Sequence, residues 1–382
     1  MSIMRGKTAI VGVGQEGLGE AVGLSAYEIM AQSSLAALDD AGLKLSDVDG
    51  FFCAMMEDLL PALMAAEYLG IQPKFIDSTM VGGSSFVNYL VSASMALEAG
   101  LCDVALICYG SNQRSAAGKL VTASLPPPYE EIYNPRHPLS AYALAASRHM
   151  YEYGTTREQL ADVAVAARGW AQHNPEAFMR TPLTREEVLS SRMVSDPLSV
   201  LDCCLVTDGG GAYIMVRADR AKDFPNAPAY ILGAAAATTH RQISQMPDLT
   251  VTAAKQSGQR AFEMAGLRPS DVDVVELYDA FTINTILFLE DLGFCKKGEG
   301  GSFVEGGRIA PGGELAVNTN GGGLSCVHPG MYGIFTVIEA VRQLRGVAPG
   351  KQIKDAEIAL AHGNGGTLSS QVTAILGTQS TV

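Results

Sequence analysis

Apolar residues along this chain fall into two alternating patterns. One recurs every three or four residues, as a helix with one buried face requires; the other is a short unbroken run, the mark of a buried strand. Residues 7–14 predict a strand that runs into a glycine turn, and residues 25–41 an amphipathic helix stopped by Gly42. A strand at 48–53, a short helix at 59–69 and a brief extended stretch at 75–77 follow. Gly82-Gly83-Ser84-Ser85 then opens a long apolar helix from Phe86 to about Glu98, and 104–109 predicts a central strand. Strand and helix alternating in this way predict an α/β layered fold.

From 112 to about 200 the pattern breaks. Pro126-Pro127-Pro128, Pro135 and Pro138 interrupt regular structure, and helices near 139–152 and 157–173 predict a helical hairpin in an inserted lid over the cleft. Residues 208–216 return the chain to the sheet. An internal repeat then appears: Ala41-Gly42-Leu43 and Ser46-Asp47-Val48-Asp49 recur as Ala265-Gly266-Leu267 and Ser270-Asp271-Val272-Asp273, each between a helix and a strand. The chain is therefore divided at 1–235, a first half carrying the insert at about 112–200, and 236–382, a second half. Matching helix starts in two such halves are expected to face one cleft. The two acidic pairs are read as turn structure, and no metal site is expected.

The densest chemistry lies at 318–333, where glycines, Cys326, His328 and Tyr332 precede a helix predicted over 334–344. Glycines let the backbone approach a ligand closely, and free N–H groups at a helix start favour an anion. A histidine beside such donors suits a site where charge develops on oxygen. His137, His149, His173 and His240 are read as surface or cap histidines, and Cys326 as a buried small side chain.

Composition adds limits. Hydrophobic residues make up 47% of the 382 and charged residues 18%, which describes a well-cored globular chain. A net charge of −13 argues against nucleic acid and anionic membrane as partners. Seven cysteines lack zinc spacing, no apolar run has membrane-spanning length, and no secretory leader is seen, so a cytoplasmic setting is expected.

Asn318-Thr319-Asn320-Gly321-Gly322-Gly323, then His328 and Gly330 before a helix, resembles the thiolase superfamily. Tyr278-Asp279-Ala280-Phe281 stands where that family has Asn-Glu-Ala-Phe, and His362-Gly363-Asn364-Gly365-Gly366 where it has Cys-x-Gly-Gly-Gly. The sterol-carrier-protein-type, thiolase-like group is the nearest likeness. The resemblance implies a duplicated fold of two mixed five-stranded sheets with layered helices, αβαβα. The family's nucleophilic cysteine is missing, since Ser78 to Ser85 contains none. Without it, the resemblance implies the group's other chemistry, retro-aldol cleavage of a β-hydroxyacyl-CoA, such as one with a steroid side chain. His328 and the glycine-loop N–H groups are then expected to hold an enolate oxygen, and Tyr278 or His362 to move the protons. Ser84, Ser85, Gly322, Gly323 and Asn364 are expected to bind the substrate, and Arg114, Lys119, Arg136 and Arg241 its phosphates. No covalent cofactor is implied; the coenzyme A thioester is substrate. The implied partners are a second copy of the chain and a small OB-fold, zinc-ribbon protein, together a heterotetramer. Two alternatives stay open: acyl transfer through Cys326 or Ser84, and a non-catalytic acyl-CoA- or lipid-binding subunit.

Overall fold

A computed structural model describes residues 4–56, 58–117 and 127–382; Lys119 and Pro126 lie outside them. The first half supplies five strands to the main sheet, β1 (Thr8–Gly19), β2 (Gly50–Cys53), β3 (Phe75–Asp77), β4 (Ala105–Ser111) and β5 (Asp208–Arg217). The second supplies β6 (Ala229–Thr238), which runs across the expected 235/236 division, β7 (Val274–Leu277), β8 (Ala316–Val317), β9 (Ile358–Gly365) and β10 (Ser370–Gly377). Each set is mixed, and the spatial order is the same in both: β3-β2-β4-β5-β1 and β8-β7-β9-β10-β6. The sets join edge to edge where β1 pairs with β6 at Ala9–Tyr230 and Ile10–Ala229. The expected duplication is thus present strand for strand.

Helices complete the layers. Helix α1 (Ala26–Ala41) covers β1, β5 and β4, while α2 (Pro61–Leu69) lies beside β2. Helix α3 (Ser85–Glu98) touches strands of both halves. The insert contributes α4 (Leu139–Tyr153) and α5 (Arg157–Ala171). In the second half α6 (Ala254–Ala265) covers β6 and β10, α7 (Thr282–Asp291) follows β7, and α8 (Gly333–Arg345) packs on β9, β7 and α3. Outer helix, sheet, inner helix pair, sheet and outer helix therefore stack in the expected order.

Local chemistry explains the repeat. Ser25 caps α1 by accepting the Glu28 N–H at 3.2 Å while Glu28 accepts the Ser25 N–H at 2.8 Å, and Gly42 ends the helix at φ 67°. Gly266 ends α6 at φ 65°. After each stop, Asp47 and Asp271 accept the N–H of Lys44 and Arg268, each at 2.8 Å. Asp49 then accepts the N–H groups of Asp103 and Val104, and Asp273 those of Glu357 and Ile358. In each half the first aspartate closes its own turn and the second pins the start of the neighbouring strand, so their recurrence is structural.

Two expectations are corrected. Gly12 and Gly14 do not make a turn; they lie within β1. A Cβ on either would stand 2.3 or 2.4 Å from the backbone of Ala37, so these glycines let α1 lie directly on the strand. His149 is not a surface histidine. It is fully buried, and its ring bonds Thr155 and the Glu290 carboxylate, which Lys297 also contacts at 3.0 Å. This network fastens the insert to the second half. His240 is buried as well, with Nε2 2.9 Å from the Thr367 carbonyl oxygen.

Candidate active site

The starts of α3 and α8 meet at the centre of the molecule. Tyr278 reaches this point from the end of β7, where its N–H donates to the His362 carbonyl at 3.1 Å. His328 arrives on the turn after Cys326, and Tyr332 is the residue before α8. The three rings form one buried cluster. Tyr278 stands edge-on to His328 and Tyr332, with centroids 5.5 and 5.6 Å away, and His328 lies parallel to Tyr332 at 6.1 Å.

The first half holds the His328 turn in place. Thr207 Oγ1 accepts the His328 N–H at 2.9 Å, Gln113 Nε2 donates to the His328 carbonyl at 2.8 Å, and Tyr109 donates its hydroxyl to the Pro329 carbonyl at 2.5 Å. The imidazole is less occupied. Its Nε2 is buried with no hydrogen-bond partner, which makes it an orphan donor or acceptor. Burial lowers the His328 pKa from 6.5 to about 4, so the ring is neutral at pH 7. Burial also pushes the Tyr278 and Tyr332 phenols well above their ordinary value, so both are protonated. Tyr278 donates weakly, to the Gly330 carbonyl at 3.3 Å; Tyr332 donates to Asn320 Oδ1 at 3.1 Å.

The glycine-loop amides are not free donors. Gly323 N–H donates to Asp279 Oδ1 at 2.6 Å, Leu324 N–H to Asp279 Oδ2 at 3.3 Å, and Gly322 N–H to Asn320 Oδ1 at 2.7 Å. Asp279 is fully buried; desolvation raises its pKa to about 7 while the two amide bonds pull it back. Its carboxylate takes the place an external oxyanion would need. From the insert, α5 supports the same loop through Arg168 Nε, which donates to Ser325 Oγ at 2.9 Å.

His362 and Asn364 belong to a different structure. His362 is fully buried, and both ring nitrogens are bonded, Nδ1 to Thr373 Oγ1 at 3.0 Å and Nε2 to Gln371 Oε1 at 2.9 Å. Gln371 donates on to Asn364 Oδ1 at 2.7 Å, and Asn364 donates to the Tyr142 hydroxyl at 2.9 Å. Tyr142 stacks on Phe281 at 4.2 Å, which seats α4 against the second half. His362 is therefore a wall residue with no vacant nitrogen, and Asn364 has committed both ends of its amide.

The nucleophile candidates are also engaged. Ser84 is buried, with its hydroxyl 2.9 Å from the Val81 carbonyl and 3.0 Å from Ser370 Oγ. Ser85 Oγ accepts the Val81 N–H at 2.9 Å. Burial raises the Cys326 thiol well above its usual range, and its sulfur takes a weak bond from Asn174 at 3.7 Å. A thiol so placed is protonated and a poor nucleophile. Arg114 stacks on Phe178 at 4.8 Å and lies 3.6 Å from Glu20, so its charge is already answered; Arg136 and Arg241 are exposed.

Tyr332 and Asp279 went unassigned in the sequence reading. The repeat carried a signal for the first, because Tyr332 precedes α8 as Ser84 precedes α3. For Asp279 the signal was a carboxylate between Tyr278 and two apolar residues, with no neighbouring cation to pair it.

Comparisons with known proteins give the family. Residues 235–378 match the family described as thiolase C-terminal domain-like. An acetyl-CoA acetyltransferase of Methanothermobacter thermautotrophicus is 36% identical over 94% of this chain and 96% of its own. A steroid side-chain-cleaving aldolase of Thermomonospora curvata is 34% identical over 91% of this chain and 93% of its own. Among solved structures, an Ltp2-ChsH2(DUF35) aldolase superposes with a TM-score of 0.89 at 33% identity, covering 99% of both chains. With the duplicated sheets, the His328 turn and these full-length relatives together, the chain belongs to the thiolase superfamily, in its sterol-carrier-protein-type, thiolase-like group.

Proposed function

We propose that the protein cleaves the Cα–Cβ bond of a β-hydroxyacyl-CoA by retro-aldol chemistry, releasing a ketone or aldehyde and a shortened acyl-CoA. The observation that carries this reading is the cluster of one imidazole and two protonated phenols, with an unbonded Nε2 on His328 and a Cys326 thiol that burial keeps protonated. As the bond breaks, electrons pass to the thioester and an enolate forms. A neutral His328 donates through Nε2 to that oxygen, an interaction that strengthens as charge develops. Tyr278 takes the proton from the β-hydroxyl and gives its own to the enolate carbon, so the proton count closes without a lasting phenolate. Tyr332, fixed through Asn320, supplies a second phenol against Tyr278. The relatives named as aldolases support the class of reaction, and a bulky, steroid-like side chain is the substrate we propose.

Acyl transfer is the second reading, favoured by the relative named acetyl-CoA acetyltransferase. Free coenzyme A separates the two, because thiolysis consumes it and retro-aldol cleavage does not. The experiment is incubation of a β-hydroxyacyl-CoA with no added coenzyme A, followed by product analysis. Carbonyl product and shorter acyl-CoA in equal amounts are expected; no cleavage of this substrate, together with coenzyme A-dependent thiolysis of the matching β-ketoacyl-CoA, would replace this reading with the second.

We also propose two partners. Strand β3 is a sheet edge, and Leu59, Leu60, Leu63, Met64, Ile76 and Met80 expose apolar surface beside it, which suits strand pairing with a second copy of the chain. The two-component name of the solved aldolase supports a second, different subunit; the one we propose is a small OB-fold, zinc-ribbon protein that completes coenzyme A binding. Weak binding of coenzyme A by the chain alone, tightened by that partner, is expected.

A further inference from the structure

We infer that residue 83 is a specificity-determining position. Its missing side chain admits the Tyr278 phenol, so this point of the cleft holds either a phenol from the second half or a side chain from the first, never both. The inference rests on the proposed function only for the use made of the phenol.

A Cβ built on Gly83 meets Tyr278 Cε2 at 2.2 Å and Tyr278 Cζ and the phenol oxygen at 2.6 Å. These are its three nearest atoms, and all belong to one side chain. The backbone does not call for glycine here. Gly82 has φ 74°, and a Cβ on it would stand 2.7 Å from Gly366 N, so glycine is required there by conformation and by neighbouring main chain. Gly83 is not among the residues with positive φ. The closest obstacle to a side chain at 83 is the phenol.

Neither side has room to yield. The Tyr278 ring lies edge-on to both His328 and Tyr332, and its N–H is bonded to the His362 carbonyl. Behind residue 83, the Gly83 carbonyl oxygen lies 2.2 Å from the point where Gly333 would carry a Cβ. The main chain at 83 is thus packed against the start of α8. Position 83 also precedes α3 by two residues, where the helix dipole lowers the pKa of a thiol. The phenol therefore occupies the space in which a first-half nucleophile would be activated. Exchange of one chemistry for the other requires both residues to change.

Four variants of the full chain test this: Gly83→Ala, Tyr278→Leu, the double variant, and Tyr278→Phe. Leucine fills part of the ring volume but lacks the three atoms that collide. In the parent, Gly83→Ala is expected to lower Tm by about 2 °C or more and to cut cleavage to the Tyr278→Leu level. In the Tyr278→Leu background it should cost neither Tm nor activity. An equal penalty in both backgrounds overturns the inference, as does parental Tm and rate in Gly83→Ala. If Gly83→Ala does not fold, a soluble double variant supports the inference, and an insoluble double beside soluble Tyr278→Leu overturns it. Full activity in Tyr278→Phe would remove the phenol from the proposed reaction, while the Tm comparison still reads the steric claim by itself.

Discussion

His328 and His362 are chemically twins. Both are buried, and in both burial lowers the pKa from 6.5 to about 4. They differ in what their nitrogens touch. The His362 ring closes a chain that runs from Thr373 through Gln371 and Asn364 to Tyr142, each link satisfied. The His328 ring leaves Nε2 unbonded beside two phenols. The lesson is that a perturbed pKa does not by itself mark a working histidine. A completed network stiffens a wall, whereas a buried nitrogen with an open valence can still take a ligand.

Substitutions can break this contrast. The largest effect is expected at Tyr278, whose main chain is bonded to one histidine and whose ring packs on the other. Tyr278→Phe should lower turnover by about 10²–10⁴, the usual range for proton transfer by a positioned group, with Tm nearly unchanged. Steady-state rates beside a melting curve decide it; full rate with early melting would make the tyrosine core. Next, His328→Ala should lower turnover by about 10²–10³ with little change in apparent substrate affinity, as for loss of one oxyanion donor. Loss of affinity at constant turnover would mean that the ring binds ground state and transition state alike.

His362→Ala should behave in the opposite way. It strands Thr373 and Gln371, at a cost of about 1–3 kcal/mol in denaturant unfolding for each buried group left unpaired, while the folded fraction turns over within a few-fold of the parent. A collapse of turnover in fully folded protein would return His362 to the reaction. A further test is a slope. Above pH 6.5 both histidines are neutral folded or unfolded; below it the unfolded chain binds protons that the fold excludes. Stability should therefore fall as pH drops from 6.5 to about 4, by on the order of 3 kcal/mol per histidine. Asp279 acts in the other sense, its contribution present below pH 3.8 and lost as pH rises through about 7. His362→Asn should flatten the acid limb in melting curves taken across this range; an unchanged limb would assign it to other groups.

Much of this was legible in the sequence. The repeated Ala-Gly-Leu and Ser-Asp-Val-Asp segments carried the duplication, because each aspartate does the same backbone work in both halves. The glycine-rich approach to α8 carried His328. What was not legible depends on partners far along the chain. Asp279 claims the loop amides from more than forty residues away, and the occupancy of the His362 nitrogens depends on strand register, since His362 stands opposite Thr373 on β10. Local pattern likewise could not separate Gly12 in a strand from glycine in a turn, because the reason is the approach of α1.

The bonds that fix His328 have a consequence for how the protein comes into being. Gln113 reaches it across 215 residues of chain, and Tyr109 reaches Pro329 across 220. Contacts of such span close slowly and late, because loop-closure entropy opposes them until each half has taken shape. Catalytic competence should thus be among the last properties acquired after synthesis. A chain severed between the halves would carry sheets and helices on either side of the cut and no reaction centre on either, and cleavage would return only when the pieces reassemble.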